Sequence, residues 1–499
     1  MPRKQAIRRQ NNAFLKLMMT GSLCCVSVES AQAAENKSYT QPPLAAFSSQ
    51  MSDALLGSSK YAKPIWNLHD ALNLPKWLSL TVDQRTRYET RDGSYKANSL
   101  GGDQQIPLQT DVWLQVNLGA FRLGTEFLDA RAPGADSGSG VNNTQADDAD
   151  FIQGYAAWAD QNIFYSGMGA EVVAGRQTLN LGSRRLVGRN VFRNTINSFT
   201  GIKLRLLDYD TWQFTGFVTM PVIRYPKSSA DILDNIHVWD QEDTHTWFSG
   251  GFLEVYDLAW GINSELYLYH LDEGDSNRNQ TSNRRYFTPG VRFYSKPKKA
   301  QFDFQSETIG QTGTVRSSTA ASNSTNLDHT AWFQHVDIGY TFDMPWSPRL
   351  ALEYDYASGD KNPYDNKDQR FDTLYGVRRG DFGPTGIYGA FARSNINTPG
   401  YRINFGPTSD LKFGISHRVF WLASNKDAWT TANLQDKTGD TSGYVGHQLD
   451  LTTRWDVNSS LNFETGWTHL FKGAFAKDAP SAPDQQDIDY FYVESQLRF

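Results

Sequence analysis

From residue 78 onward, apolar and polar residues alternate in segments of about 10–14 residues, and the connectors between them are short and long in strict turn. Leu108, Thr110, Val112, Leu114, Val116 and Leu118 alternate with Gln109, Asp111, Gln115 and Asn117. Leu350, Leu352, Tyr354 and Tyr356 stand against Glu353 and Asp355, and Leu449, Leu451 and Trp455 against Asp450, Thr452, Arg454 and Asp456. Period 2 is the signature of a strand with two unlike faces. Segments this long suit a tilted membrane strand better than the 5–6 residues usual in soluble sheets. Short connectors fall near 119, 161–169, 208–210, 257, 296–298, 344–348, 406–409 and 456–459. Long ones fall near 92–105, 133–150, 183–197, 223–243, 273–285, 311–328, 360–397, 424–445 and 472–485. A closed sheet with turns at one end and loops at the other gives that order directly. The expected fold is all-β, a transmembrane antiparallel β-barrel of about 18 strands with short periplasmic turns and long extracellular loops. Closure removes the edges that so many alternating strands would expose.

The start of the chain reads as an export signal. Arg3, Lys4, Arg8, Arg9 and Lys16 make a basic start, 15–28 supplies an apolar stretch, and Ala31-Gln32-Ala33 is a small-residue cleavage site. The expected organisation is a signal peptide at 1–33, a periplasmic leader at 34–77 with a short helix near its end, and a barrel at 78–499. Both cysteines, Cys24 and Cys25, lie in the signal, so the remainder has no thiol chemistry. Without residues 1–33 the chain holds 43 Lys and Arg against 53 Asp and Glu, a net charge of −10. That balance excludes a nucleic-acid partner. No apolar run after the signal is long enough for a membrane helix. Mean hydropathy is low at −0.54, yet 13 % of residues are aromatic. A barrel reconciles the two, because polar lumen residues average out the lipid-facing ones. The last segment puts Phe491, Val493, Leu497 and Phe499 on one face, an ending shared by outer-membrane barrels. The expected location is the bacterial outer membrane, with outer-membrane lipid and lipopolysaccharide as its surroundings.

Parity identifies the lumen face. It collects Arg85, Arg87, Arg122, Arg176, Lys203, Arg205, Arg292, Arg402, Lys412, Arg418 and Arg454. Rings of Arg and Lys in a narrow pore favour anions, so these are the candidate pore-lining and anion-binding residues. The same face carries Asp83, Glu89, Asp111, Glu126, Glu353, Asp355, Asp450, Asp456, Glu464 and Glu494, so ion pairs that fill and brace the lumen are the competing reading. Excess acid is expected in solvated loops, for example Asp147, Asp148 and Asp150, or Asp272, Asp275, Asp360, Asp365 and Asp368. His417 and His469 share the outward face of their strands. The nine His show no metal-ligand spacing, and the paired carboxylates are those of any strand face, so neither a metal, a cofactor nor catalysis is expected.

Several stretches resemble the alginate export family of outer-membrane barrels. They are Gly175-Arg176-Gln177, Arg185-Leu186-Val187-Gly188, Phe192-Arg193-Asn194-Thr195 and 198–206. Further on come Ala357-Ser358-Gly359-Asp360 with 371–376, HRVFWLASNKDAW at 417–429, and 448–473 ending in HLFKG. The resemblance implies a passive channel with an electropositive constriction, singles out Arg176, and points to an anionic saccharide cargo such as alginate. It also leaves room for a periplasmic export partner. A general small-solute porin and a structural or adhesive surface barrel remain as alternatives. Two departures stand out. Thr200 occupies a position where an acidic residue is expected, and the last periplasmic turn at 456–459 is far shorter than the pore-plugging turn known in the family. Occlusion is therefore expected from the outer side, where 133–150 and 360–397 are long enough to fold inward.

Overall fold

A computed structural model describes residues 64–499, except 100, 137, 138 and 321. The signal, its cleavage site and most of the leader lie outside the described residues. Asn67 caps a single helical turn, Leu68–Ala71, which leads into the first strand.

Eighteen long antiparallel strands form one closed barrel. In chain order they are β1 Leu78–Asp92, β2 Leu108–Leu118, β3 Phe121–Arg131, β4 Asp147–Asp160, β5 Gly169–Gln177, β6 Phe199–Asp208, β7 Trp212–Ile223, β8 Thr246–Ala259 and β9 Ile262–Glu273. The second half comprises β10 Arg285–Tyr294, β11 Gln301–Arg316, β12 Asn326–Thr341, β13 Arg349–Ala357, β14 Ile396–Phe405, β15 Leu411–Trp421, β16 Tyr444–Asp456, β17 Leu461–Lys472 and β18 Ile488–Arg498. Each pairs with the next, and β18 returns to β1 in a ten-residue register from Asp83 opposite Arg498 to Asp92 opposite Asp489. Val82 and Phe499 exchange backbone hydrogen bonds at the foot of this seam.

The alternation reads out as burial. Leu123, Ile202, Val218, Leu266, Ile338 and Leu352 are exposed on the outer wall, where lipid covers them. Their neighbours Arg122, Lys203, Phe217, Glu265, Asp337 and Glu353 are buried inside. Trp260, Phe164 and Tyr165 lie at short turns, forming part of the aromatic rim expected at a membrane interface.

Several expected boundaries shift, among them these two. The 311–328 connector shrinks to 317–325, because β11 and β12 run 16 residues each and pair as far as Arg316 opposite Asn326. Its Gly, Thr and Ser content reads as a loop, but hydrogen bonding to a partner strand overrides that composition. The turn expected near Asp257 sits at Trp260-Gly261, after an irregularity between Val255 and Ala259.

Candidate functional site

The barrel is crossed by two of its own long loops. The 178–198 loop follows β5 and the 358–395 loop follows β13, so they descend from different walls. They meet inside the barrel as a parallel bridge between Val187 and Tyr375, whose ring packs on Phe199 and Phe248 of the wall. Tyr375 N donates to Leu186 O at 2.9 Å, Gly188 N to Tyr375 O at 3.2 Å, and Val377 N to Arg184 O at 2.9 Å. Both loops carry apolar residues unlike those of solvated loops. Leu186, Val187, Phe192, Phe371, Phe382, Ile387 and Phe391 are all buried in one cluster with the inner wall. Their burial holds the loops in place, since each such side chain contributes about 1.5–3 kcal/mol.

Charged groups fix the same loops to the wall. Arg85 Nη2 donates to Arg193 O at 2.9 Å and to Asn194 Oδ1 at 3.1 Å. Arg87 Nη1 donates to Phe192 O at 2.8 Å, and the guanidinium carbons of Arg87 and Arg379 lie 4.0 and 4.1 Å from the Phe192 ring centroid. Arg189 binds Glu126 at 2.5 Å and approaches Asp111 at 3.4 Å. On the second loop, Ile387 N donates to Glu89 Oε2 at 2.8 Å and Tyr388 Oη to Gln448 Oε1 at 2.6 Å. Arg379, at the start of the short helix Arg379–Phe382, pairs with Glu464. Asp381 joins the two loops. Arg185 donates to it through Nε and Nη2, both at 3.1 Å, and Arg393 pairs with its Oδ2. Burial would raise the Asp381 carboxyl, but Arg185 and Arg393 override it and hold the group well below the usual carboxylate range.

This septum divides the lumen. On the long-loop side lies a cavity of about 530 Å³ whose wall carries Arg193, Arg224, Lys227 and Arg378 and no Asp or Glu. Asn143, Asn197 and Asn279 add amides. On the short-turn side are two smaller cavities of about 80 and 70 Å³, both touching Arg379. Consecutive residues thus face opposite compartments: Arg378 lines the outer cavity and Arg379 the inner ones. In the other loop, Val191 faces in and Arg193 faces out. Arg193 is a poorly compensated cation. Its Nε is buried without a hydrogen-bond partner. Burial, together with Arg378 and Arg224, pushes its guanidinium down to about 9.

The eleven candidates chosen by parity all face inward, but not toward this cavity. Their nine arginines sit in ion pairs along the wall. Arg85 approaches Glu494 at 3.7 Å, Arg87 binds Glu89 at 2.6 Å, and Arg122 pairs with Glu171. Arg205 reaches the same Glu171 at 3.3 Å, and Lys203 stands in that group. Arg292 binds Glu265 at 2.7 Å, Arg402 Glu353 at 3.0 Å, Arg418 Asp355 at 2.7 Å and Arg454 Asp456 at 3.0 Å. Lys412 lies opposite Arg454 in the β15–β16 register. Arg176 binds Glu242 at 2.8 Å, and Thr200 donates to the same Glu242 carboxylate. Glu242, from the 224–245 loop, therefore supplies the acid missing at position 200.

Several loop acids expected in solvent are engaged or buried. Asp147 and Asp150 open β4 and are buried against Asp240. Asp148 pairs with Arg131, Asp275 binds Arg316 at 2.6 Å, and Asp368 binds His329 at 2.6 Å. Of the two loops expected to fold inward, 360–397 does so. The 132–146 connector instead packs Val141 and Ala146 against Ile232 of a neighbouring loop, and among its described residues Asn143 reaches the outer cavity. Parity along strands could not find Arg193, Arg224, Lys227, Arg378 and Arg379, because they lie in loops. Apolar residues interleaved with arginines, as in Leu186, Val187, Arg189, Phe192 and Arg193, were the available signal of an inward-folded loop.

The motifs that resembled a known family fall largely on this septum and its supports, and the comparison with family models agrees. A model described as alginate export matches residues 76–487. The chain belongs to the alginate export family. It is an outer-membrane β-barrel of channel type, and its place is the bacterial outer membrane. Among curated proteins no match to the sequence was found. Solved structures share the fold at low identity. OpdK of Pseudomonas aeruginosa with vanillate has a TM-score of 0.54 at 10 % identity, over 85 % of this chain and 98 % of its own. OccK2 (OpdF) of the same organism, in complex with glucuronate, gives 0.53 at 10 % over 85 % and 98 %. OccK3 (OpdO), also from P. aeruginosa, gives 0.52 at 14 % over 86 % and 97 %.

Proposed function

We propose that this alginate-export-family barrel conducts an anionic saccharide, and that the outer cavity is where the anion is first held. The observation that carries this reading is the composition of that cavity's wall: four cationic side chains and no carboxylate. Along the strands, by contrast, the candidate arginines are paired with carboxylates. Here no carboxylate stands in the wall itself, and low-dielectric walls concentrate the field of its cations. An entering carboxylate gains charge-assisted hydrogen bonds from Arg193 and Arg378 and relieves their mutual repulsion. Family membership and the glucuronate in the OccK2 complex support a uronate as the anion. The wall arginines chosen from sequence then act mainly as braces. Their pairing keeps the septum positioned without competing for the cargo.

The small inner cavities favour a short or single extended saccharide over a bulky one. The test is reversal potential in a KCl gradient across a planar bilayer, with and without oligouronate. Anion selectivity and oligouronate block are expected in wild type. Both should weaken in the Arg193→Gln, Arg378→Gln double variant. A cation-selective wild type, or selectivity unchanged in the double variant, overturns the assignment. A barrel that passes no current favours a structural role.

A further inference from the structure

Behind the outer cavity, at the foot of the loops, one oxygen from each of Asp147, Asp150 and Asp240 lies within 4.8 Å of the others. All three residues are buried. Two oxygens on one calcium ion, each about 2.4 Å from it, are at most about 4.8 Å apart, so the three fit a shared ion. Two of the carboxylates are fixed by the backbone. Asp150 Oδ2 accepts from Asp240 N at 2.5 Å and its Oδ1 from Phe151 N at 2.5 Å, while Asp240 Oδ1 accepts from Tyr225 N at 2.8 Å.

The third carboxylate supplies an observation of a different kind. Asp147 is 3 % exposed, and its Oδ2 is fully buried with no hydrogen-bond partner. A buried carboxylate oxygen without a donor is costly unless something positive completes it. The nearby cations are committed elsewhere. Arg224 donates to Asn143 O and Asn197 Oδ1, both at 2.8 Å. Arg176 is 3.4 Å from Asp150 but spends its stronger bonds on Glu242, at 2.8 and 3.0 Å. Arg131 pairs with Asp129 and Asp148, and His237 Nδ1 lies 2.7 Å from Asp148 O.

We propose that Asp147, Asp150 and Asp240 bind one divalent cation of the calcium class, tying the start of β4 to the 224–245 loop. An all-oxygen, carboxylate-rich donor set selects a hard ion over zinc or copper. Sequence spacing gave no hint of it, because Asp240 comes 90 residues after Asp150.

The test uses the full chain refolded in detergent and stripped with EGTA. It is titrated with CaCl2 by calorimetry and, separately, with TbCl3 under tryptophan excitation. Trp239, adjacent to Asp240 and stacked on Phe151 at 6.0 Å, is the sensitiser. One saturable calcium site is expected, with Kd between about 10⁻⁵ and 10⁻³ M. Asp147→Asn and Asp240→Asn should each weaken it at least tenfold. Trp239→Phe should keep the calcium titration and lose most of the terbium emission. No saturable calcium binding in wild type, or wild-type affinity in Asp147→Asn, overturns the proposal. Should either Asn variant fail to refold, terbium emission unchanged in Trp239→Phe overturns it instead.

Discussion

Replacing Asp381 by Asn should loosen the septum and make the channel pass more current. The Asp381 carboxylate is the ionic joint between the two crossing loops, flanked by Arg185 and Arg393, whose side chains are 2 % and 1 % exposed. Removing one member of a buried charge cluster costs about 3–5 kcal/mol, largely because the remaining charge is left uncompensated. Arg185 keeps Glu307 at 2.7 Å, which places the loss near the lower end. Arg393 keeps only the carbonyls of Val377, at 2.8 Å, and Arg185, at 3.3 Å. A loss of about 3 kcal/mol is a factor of roughly 150 in the ratio of seated to displaced loop. Single-channel recording in planar bilayers should show a larger mean conductance and more frequent excursions to a higher level. The pH dependence follows from the same group. Its folded pKa is depressed, so its stabilisation is present above the ordinary value of 3.8 and is lost only as pH falls through the still lower folded value. Asp381 itself should therefore add no change in wild-type conductance between about pH 8 and pH 5. If Asp381→Asn conducts like wild type, with no new level, the septum does not limit current and the reasoning fails.

Arg418→Ala should refold poorly and lose about 3–5 kcal/mol of stability, because it leaves Asp355, 0 % exposed, with His335 as its ion-pair partner; urea titration of the refolded barrel measures the loss, while the selectivity of the fraction that folds should be unchanged. Gly386→Ala should displace the 358–395 loop from the wall, since a Cβ there would collide with the buried Glu89 carboxylate; raised conductance with an intact barrel is the expected outcome, and wild-type conductance would show that the loop accommodates the methyl in place.

The barrel was legible because its two signals are local. Period 2 within each strand and the alternation of connector lengths need no knowledge of which strand meets which. The family resemblance also lay in short contiguous motifs. The septum was only half legible. The length of the 360–397 segment marks it for inward folding, while its partner, the connector expected at 183–197, has no such mark of length. The contacts that fold it inward join residues far apart in sequence, such as Arg185 with Asp381, 196 positions away. Parity groups the candidate arginines on one strand face, yet it says nothing about the acid on the next strand. Arg205 and Glu171 sit opposite each other only once β5 and β6 take their register. The acidic cluster was read as solvated for the same reason, since Asp147 and Asp150 come together with Asp240 only when the 224–245 loop packs down.

The seam between β1 and β18 has a consequence for assembly. It joins residues such as Asp83 and Arg498, 415 positions apart, so it is the pairing with the greatest loop-closure cost in the sheet. Until β18 arrives, β1 on one side and β17 on the other present unpaired backbone along their whole length. An exported chain in that state is a template for pairing with any other extended strand. Its safe passage to the membrane then depends on how long those two edges stay shielded, and a loss of residues 488–498 should yield aggregates rather than a leaky channel.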